Sequence, residues 1–472
     1  MDARDVSRLD DVRAVSLDGR RFQFTAPIES ALEPGTFVTL RSESGTVQLG
    51  QVDDVTLAVG EAFRGAGRIL GAIAESGALD ARRSFSFADA EIEHADAPTT
   101  ELLYGNTEAP LVIGSYLSED DIPARLLPHR FNRHTFWCGQ SGSGKTYALG
   151  VVLEQILLHT GLPMVIFDPN ADFVRLSEPN PASADNAGRG AMADRNIRIL
   201  RPGSADPDSL RVRFTDLSMQ AKAAVLRLHP LEDRAEYNEL IHLEQTVGTL
   251  APELIVPSLR QRDSAAATAL AARIENLQVT DWGIWARGVS TVRVVTEVLQ
   301  DRPDATVLDL GGFAYPDESL VVALAVLEDL WAKREARRPI LIVIDEAHNL
   351  CSPEQNTPLH VAVRERIIQI AAEGRKFGLW LLLSTQRPSR VHPSIISQCD
   401  NLALMKMSSP GDLHELATIF GFVPAAMFAR SPSFRQGEAL FAGGFVPAPT
   451  IVTMGARLTR EGGADVGVPM RA

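Results

Sequence analysis

A glycine-rich octapeptide is the segment of the sequence with the clearest chemistry. It reads Gly139-Gln140-Ser141-Gly142-Ser143-Gly144-Lys145-Thr146, between a strand predicted over 135–138 and an apolar helix predicted over 147–158. The spacing matches G-x-x-x-x-G-K-[ST] in the strand-loop-helix context that this motif requires. In such a loop, backbone N–H groups point at nucleotide phosphates, the lysine reaches the β and γ oxygens, and the threonine holds Mg²⁺. We therefore predict that these eight residues bind ATP and that Thr146 is a Mg²⁺ ligand.

Two acids follow a second apolar segment, residues 339–344. Asp345 is suited to hold Mg²⁺, through water, and Glu346 to orient or deprotonate the attacking water. Nucleotide binding alone requires no such base, so the pair predicts hydrolysis. The alternative is an acidic helix N-terminus that only complements the helix dipole. The tetrad Asp-Glu-Ala-His also suggests a two-lobed DEAH-type helicase, but no Q-x-x-G-R-x-x-R element of a second lobe follows residue 348.

A third apolar segment, residues 379–385, ends in polar side chains. Thr385 and Gln386 at the tip of a buried strand would reach the γ-phosphate or its water, and Gln386 is therefore a candidate catalytic residue. The alternative is an ordinary turn at a strand end, closed by Pro388.

Apolar strands that alternate with helices must position these groups. Such strands are predicted over 135–138, 164–168, 197–200, 306–310, 340–345, 379–385 and 402–407. Runs that are apolar on both faces indicate a parallel sheet covered by helices, so we predict an α/β fold over residues 131–455. Helical spacing replaces the strands over about 206–299, which predicts a helical insertion.

The regions before and after residues 131–455 have different sequence patterns. Residues 1–100 contain short alternating segments separated by turns, which predicts a small antiparallel β-barrel. Residues 101–130 carry three prolines and several acids and are predicted to be a linker. The tail, residues 456–472, shows no readable pattern.

The charge of the chain is unevenly distributed. The 472 residues carry a formal charge of −14, of which residues 1–130 contribute −10 and residues 131–472 contribute −4. This total argues against a general nucleic-acid-binding surface. Residues 361–407 are locally basic, with seven basic and three acidic residues.

The compartment is predicted from what the sequence lacks. Cys138, Cys351 and Cys399 show neither disulfide nor zinc-ligand spacing. The charged N-terminus is unlike a signal peptide, and the apolar run at 320–327 is too short to cross a membrane. A cytoplasmic protein without a membrane span is expected.

Six segments together resemble the HerA branch of the HerA/FtsK superfamily, and the match extends over residues 131–445. Beyond the octapeptide these segments are Ile166-Phe-Asp-Pro-Asn-Ala-Asp172, Ile344-Asp-Glu-Ala-His-Asn349, Ala372-Glu-Gly-Arg-Lys-Phe-Gly378, Ser384-Thr-Gln-Arg-Pro388 and Ile396-Ser-Gln-Cys-Asp400. The resemblance implies a hexameric, ATP-driven DNA translocase with a RecA-like P-loop core behind a small N-terminal barrel.

The resemblance also assigns roles to individual residues. Asp168 becomes an acid near the active site, Gln386 the γ-phosphate sensor, and Arg375 a candidate arginine finger for the neighbouring subunit. For Arg375, a cation at a helix C-terminus is an equally good interpretation. The sequence departs from the common Asp-Pro-His-Gly-Glu pattern, because Asn170, Ala171 and Asp172 occupy the last three places.

The length of the chain supports a ring independently of the family. One nucleotide motif means one core, and such cores complete their site with a positive group from a second core. A homo-hexamer of this chain needs positive charge only along its pore. The candidate contacts to duplex DNA, without sequence specificity, are Arg364, Arg366, Arg390, Arg260 and Arg262, although a solvated surface is the commoner role of such residues.

Two functions are compatible with these observations. The first is an ATP-hydrolysing DNA translocase or helicase that works with a partner nuclease in DNA-end processing or repair, the nuclease docking on the acidic barrel. The second is a HerA-like ring that scaffolds an effector enzyme in an anti-phage complex. An FtsK-type pump is disfavoured because such pumps usually carry membrane spans.

Overall fold

The computed structural model describes residues 12–27, 30–57, 62–105, 108–117, 119–204, 207–246, 252–286 and 293–463. The chain divides into two compact units. The first contains Met1–Arg130, Trp137–Gln155 and Asp400–Ala456, and the second contains Phe131–Phe136, Ile156–Cys399 and Arg457–Ala472.

The strands are numbered in chain order. They are β1 (Arg13–Ser16), β2 (Arg21–Pro27), β3 (Phe37–Ser42), β4 (Val47–Leu57), β5 (Ala62–Ile73), β6 (Leu79–Asp80), β7 (Phe87–His94), β8 (Leu111–Tyr116), β9 (Glu119–Leu126), β10 (His134–Cys138), β11 (Met164–Asp168), β12 (Ile197–Leu200), β13 (Ala305–Asp309), β14 (Ile340–Ile344), β15 (Leu379–Thr385), β16 (Cys399–Met405), β17 (Glu438–Gly443) and β18 (Thr450–Met454).

The α-helices follow the same numbering. They are α1 (Ala97–Glu101), α2 (Lys145–His159), α3 (Asn186–Ala193), α4 (Met219–Val225), α5 (Arg234–Thr246), α6 (Pro252–Arg260), α7 (Ala265–Asn276), α8 (Val295–Gln300), α9 (Pro316–Ala332), α10 (His348–Cys351), α11 (Pro358–Glu373), α12 (Pro393–Ile396), α13 (Pro410–Ile419) and α14 (Ala425–Arg430).

The first unit begins with a closed barrel. Its strands follow the order β2-β1-β7-β3-β4-β5, and β2 also pairs with β5, which closes the sheet. Along β2 exposed and buried residues alternate strictly, with Phe22 and Phe24 inside. On the facing strand β5, a Cβ on Gly65 or Gly67 would lie within 2.3 Å of these rings, so glycine is required there. The predicted N-terminal barrel is confirmed.

A second, antiparallel set of strands completes the first unit, in the order β16-β17-β18-β8-β9. This corrects the predicted linker over residues 101–130, because β8 and β9 lie there and pair with each other. The prolines that suggested a linker are compatible with β9 because it is the last strand in this order. Pro123 lacks a donor, and an edge strand tolerates that loss.

The second unit is built on parallel strands in the order β12-β13-β11-β14-β15. Every residue of β11 and β14 is buried, which confirms the α/β fold expected from strands that are apolar on both faces. Helices α4 to α8 lie between β12 and β13, in the region where the sequence predicts a helical insertion. The carboxyl ends of the parallel strands form one edge of this sheet, and their amino ends form the other.

None of the helices among the described residues has both the length and the apolar character to cross a bilayer.

Candidate active site

The phosphate loop lies in the first unit, between β10 and α2. All five residues of β10 are buried and α2 begins at Lys145, so the loop leaves a buried strand and enters a helix N-terminus. Gly144 has a φ of +85°, a conformation that favours glycine. A Cβ on Gly139 would lie 2.8 Å from the Cβ of Met405. The path of the loop therefore needs glycine at both positions, and its strand-loop-helix context suits phosphate binding.

Hydrogen bonds from later parts of the first unit fix the loop. The Gln140 amide donates to the carbonyl of Lys406 at 2.8 Å, and the Gln140 side-chain oxygen accepts from the Ser408 amide at 3.0 Å. The Ser143 carbonyl accepts from the Gly437 amide at 3.0 Å. The loop is thus preorganised by groups that sequence reasoning did not single out.

In the second unit, Asp168 ends β11 and is fully buried. Its two carboxylate oxygens accept the backbone N–H groups of Asp172 at 2.9 Å and Phe173 at 2.8 Å. Burial raises the pKa of Asp168 to about 7, and the two N–H donors oppose this rise. The negative charges of Asp172 and Asp345 add to it. Asp168 therefore shapes the loop after β11 and is easily protonated when no cation is near.

Three carboxylates converge at the carboxyl edge of this sheet. Ligand oxygens of Asp168, Asp172 and Asp345 all lie within 4.8 Å of one another. Carboxylate oxygens are hard donors of the kind that Mg²⁺ takes, and a cation would relieve the repulsion among them. The donor set therefore fits Mg²⁺, and the assignment of Asp345 as a ligand stays a prediction. Thr146, the other predicted ligand, is in the first turn of α2 in the first unit.

Glu346 is the second acid after β14, and its two oxygens have different surroundings. Oε1 accepts from the Gln386 side-chain amide at 2.8 Å, and Oε2 lies 3.2 Å from Nδ1 of His348. The same ring nitrogen lies 3.1 Å from the Thr385 hydroxyl. The backbone of Glu346 is left-handed, with φ +45°, which costs a residue with a Cβ about 1 kcal/mol. The structure therefore brings together Glu346 and Gln386, and adds His348, which the sequence analysis passed over.

Arg375 lies at the opposite edge of the sheet. It follows α11 in a short 3₁₀ turn, Gly374–Phe377, just before β15 begins. Seven residues of strand separate it from Gln386, a distance of roughly 20 Å at about 3.3 Å per residue. Arg375 therefore cannot act on the water that Glu346 of its own chain would hold.

His134 is a buried residue at the same amino edge, and no motif or periodicity in the sequence marks it. The amide of Leu381 donates to its Nδ1 at 3.0 Å, so Nδ1 is the unprotonated nitrogen. Nε2 then donates to the carbonyl of Ala371 at 3.0 Å. Burial lowers the pKa of His134 to about 4, and the charges of Arg375 and Arg133 lower it further. The neutral ring joins α11 to β15 on either side of the Arg375 turn.

The five predicted DNA contacts all have partners within the second unit. Arg364 donates to the carbonyls of Ser352 and Gln355, at 2.9 and 3.0 Å. The other four lie near acidic side chains. Their shortest ion-pair distances are 3.7 Å for Arg366–Glu328, 3.6 Å for Arg390–Glu354, 2.7 Å for Arg260–Glu275 and 3.0 Å for Arg262–Glu239. A DNA phosphate would have to compete with these partners, so the assignment of the five stays a prediction.

The C-terminal segment packs on the loop after β11. The Gly462 amide donates to the carbonyl of Asp172 at 3.0 Å, and the Arg460 amide donates to the carbonyl of Glu178 at 2.8 Å. A Cβ on Gly462 would lie 2.0 Å from the backbone oxygen of Ala171. Residues 458–463, predicted as part of a tail without a readable pattern, thus hold the loop that carries Asp172. The remaining tail, residues 464–472, lies outside the described residues.

Residues 111–328 match the family model described as "Helicase HerA, central domain". The chain is also 23% identical over 394 residues to a probable helicase of Methanocaldococcus jannaschii, covering 80% of this chain and 72% of that protein. The chain is thus HerA-like in sequence. It is also 23% identical over 432 residues to the DNA double-strand break repair helicase HerA of Pyrococcus furiosus, covering 78% of this chain and 74% of the relative.

A solved structure shares the fold of this chain. VirB4 of Thermoanaerobacter pseudethanolicus aligns with a TM-score of 0.50 and 15% identity, covering 74% of this chain and 97% of VirB4. At this identity the likeness concerns the fold alone. The recognition of the HerA branch and the α/β fold with a P-loop are both confirmed.

Proposed function

We propose that the protein hydrolyses ATP with Mg²⁺ and that a homo-hexamer uses this reaction to move along duplex DNA. The observation that carries the proposal is the setting of Glu346, a buried carboxylate that accepts a hydrogen bond from Gln386 and lies beside His348 at the end of a buried strand. A nucleotide-binding protein that does not hydrolyse has no need of a strained, buried acid at this position.

The proposed reaction assigns one role to each group. Lys145 binds the β and γ oxygens of ATP, and Glu346 takes a proton from the attacking water. The new bond joins the water oxygen to the γ-phosphorus, while the bond to the bridging oxygen of ADP breaks and inorganic phosphate leaves. Gln386 keeps the carboxylate of Glu346 aligned. Mg²⁺, when bound by Thr146 and Asp345, neutralises charge on the phosphate oxygens.

The ring is supported by the position of Arg375. Because the length of β15 excludes action in its own subunit, its use as an arginine finger requires a second copy of the chain. A head-to-tail contact between copies closes into a ring when the rotation allows it. DNA as the substrate is supported by the relatives, since the P. furiosus protein is a DNA double-strand break repair helicase.

A protein partner is supported by charge. Residues 1–130, which include the barrel, carry −10 of the total charge of −14. A basic surface on a nuclease or another effector would complement this region.

A DNA-stimulated ATPase assay tests the proposal. Wild-type protein is expected to hydrolyse ATP faster with duplex DNA. Lys145→Ala should lose ATP binding, whereas Glu346→Gln should bind ATP and lose turnover by at least about 100-fold. Glu365→Gln, a matched change at an acid whose side chain is 60% exposed, should retain wild-type activity. Equal ATP affinity in wild type and Lys145→Ala would refute the phosphate assignment. Hydrolysis that ignores DNA, with no DNA binding, would favour the scaffold of an effector enzyme instead.

A further inference from the structure

Basic residues precede three of the strands at the amino edge of the parallel sheet in the second unit. Arg302 lies before β13, Arg337 and Arg338 lie before β14, and Lys376 lies before β15. Since parallel strands begin at the same edge, the four residues belong to one surface, which we call the amino-edge patch. The acids of the candidate active site lie at the other edge.

Two arginines of the patch share a small cavity. Arg302 and Arg338 line a space of about 60 Å³ together with Lys333, Arg334 and one acid, Asp329. Apolar side chains such as Leu330 and Phe377 form the rest of its wall. Four positive side chains and one negative side chain therefore face the same space, in a chain whose overall charge is −14.

The charges in the wall are unequally compensated. Lys333 forms an ion pair with Asp329, and Arg334 lies 3.8 Å from Glu335 and stacks on Trp331.

The guanidinium groups of Arg302 and Arg338 have no carboxylate within ion-pair distance among the described residues. Arg302 donates to the carbonyl of Pro339 at 2.6 Å, which uses one of its donors. Burial lowers the pKa of Arg302, and the charge of Arg338 lowers it further, because the two like charges repel each other.

Two uncompensated guanidinium groups favour an anion with several oxygens. Guanidinium donates in a planar fork that matches phosphate, and a bound phosphate would replace repulsion by attraction. The cavity is too small for a nucleobase, so recognition would be independent of sequence. Resting on the function proposed above, we propose that the amino-edge patch binds phosphate groups of the DNA backbone.

The ion pairs of other arginines favour the amino-edge patch as the DNA contact. The five residues predicted from sequence as DNA contacts all have partners within the chain, whereas Arg337 and Arg338 are exposed and have no ion pair in the described part. Counterion release by basic residues dominates affinity for duplex DNA. Clustered cations that no acid neutralises are therefore better placed to bind DNA than paired ones.

The experiment measures binding of a fluorescent 30-base-pair duplex by the full-length protein at several NaCl concentrations. The variants are Arg337→Ala/Arg338→Ala, in which both side chains are exposed, and Arg338→Glu. Arg234→Ala, at an exposed arginine in α5, is the matched control. We expect the double variant to bind about 10-fold more weakly at 100 mM NaCl and to reduce the slope of log K against log [NaCl] by about 1 for each phosphate that it no longer neutralises. Arg338→Glu should weaken binding more, and Arg234→Ala should match wild type.

The outcomes separate the two proposals. If wild type binds duplex and both patch variants keep its affinity and salt slope, the patch assignment is overturned while the proposed function stands. If wild type itself does not bind duplex, the proposed function fails first. A second measurement tests whether the patch binds free phosphate instead of DNA. It compares the thermal stability of the protein in inorganic phosphate and in chloride at equal ionic strength. Thermal stabilisation of wild type by phosphate, abolished in the double variant without any change in DNA affinity, would assign the patch to a free anion and overturn the DNA assignment. Loss of the oligomer in the variants, measured by mass photometry, would likewise reassign it to a subunit contact.

Discussion

The protonation of His134 should cost the second unit stability as the pH falls. Its pKa is lowered from 6.5 to about 4 by burial and by the nearby charges of Arg375 and Arg133. Between these values the unfolded chain takes up a proton that the folded chain does not bind, so stability falls as the pH falls from 6.5 towards 4 and is unaffected above that range. A difference of this size corresponds to about 1 kcal/mol at pH 5.5 and about 3 kcal/mol below pH 4.

The variant His134→Gln isolates this effect. A glutamine amide can donate to the carbonyl of Ala371 and accept from the amide of Leu381, and it does not titrate. Urea denaturation of wild type and variant, followed by intrinsic fluorescence from pH 7.5 to pH 5, should show wild type losing about 1 kcal/mol of stability relative to the variant by pH 5.5. His414→Gln, at an exposed histidine, should keep the wild-type pH dependence. Parallel loss of stability in wild type and His134→Gln would refute the reasoning.

Three further predictions concern the active site. Homogeneous rings of Arg375→Ala should bind ATP and lose turnover. Mixing these subunits with Glu346→Gln subunits should restore part of the activity, because some interfaces then combine an intact base with an intact arginine finger. A mixture as inactive as its components would contradict action between subunits. Gln386→Ala should leave ATP affinity unchanged and lower kcat by about 10- to 100-fold, since it frees one oxygen of the base, and an unchanged kcat contradicts its role. Gly462→Ala places a Cβ 2.0 Å from the backbone of the loop after β11. The variant should therefore speed hydrogen exchange in that loop and raise the Mg²⁺ concentration needed for half-maximal activity. The control Gly190→Ala, with no atom within 4 Å of the new Cβ, should have neither effect.

The parts of the molecule that could be predicted from sequence are those whose signal is local. The P-loop motif, the buried strands and the acids at strand ends follow from residue type and spacing, because parallel strands place their carboxyl ends at one edge. The barrel followed from alternation that is still visible in β2. The prolines of residues 101–130 led to the wrong prediction of a linker, because an edge strand such as β9 accepts a proline that an inner strand would exclude.

Contacts between distant segments left no such signal. His134 lies more than 230 residues before its partners Ala371 and Leu381, and nothing in its own neighbourhood marks it as buried. The excess of basic residues over 361–407 also predicted that arginines of this stretch bind DNA. The structure shows that Arg364 donates to two backbone carbonyls, whereas Arg338, outside that stretch, has no ion pair among the residues that the structure describes.

Contacts between the C-terminal segment and the loop after β11 explain how the chain can depart from the family pattern in that loop. Where many HerA proteins have glutamate, this chain has Asp172, whose side chain is one methylene shorter. Its carboxylate nevertheless lies within 4.8 Å of those of Asp168 and Asp345. Two backbone features bring it there. Ala171 adopts a left-handed conformation, with φ +59°, and Gly462 packs against the loop so closely that no side chain would fit. We infer that the C-terminal segment and the shorter acid depend on each other, so that Asp172→Glu should disturb this packing even though it restores the residue type common in the family.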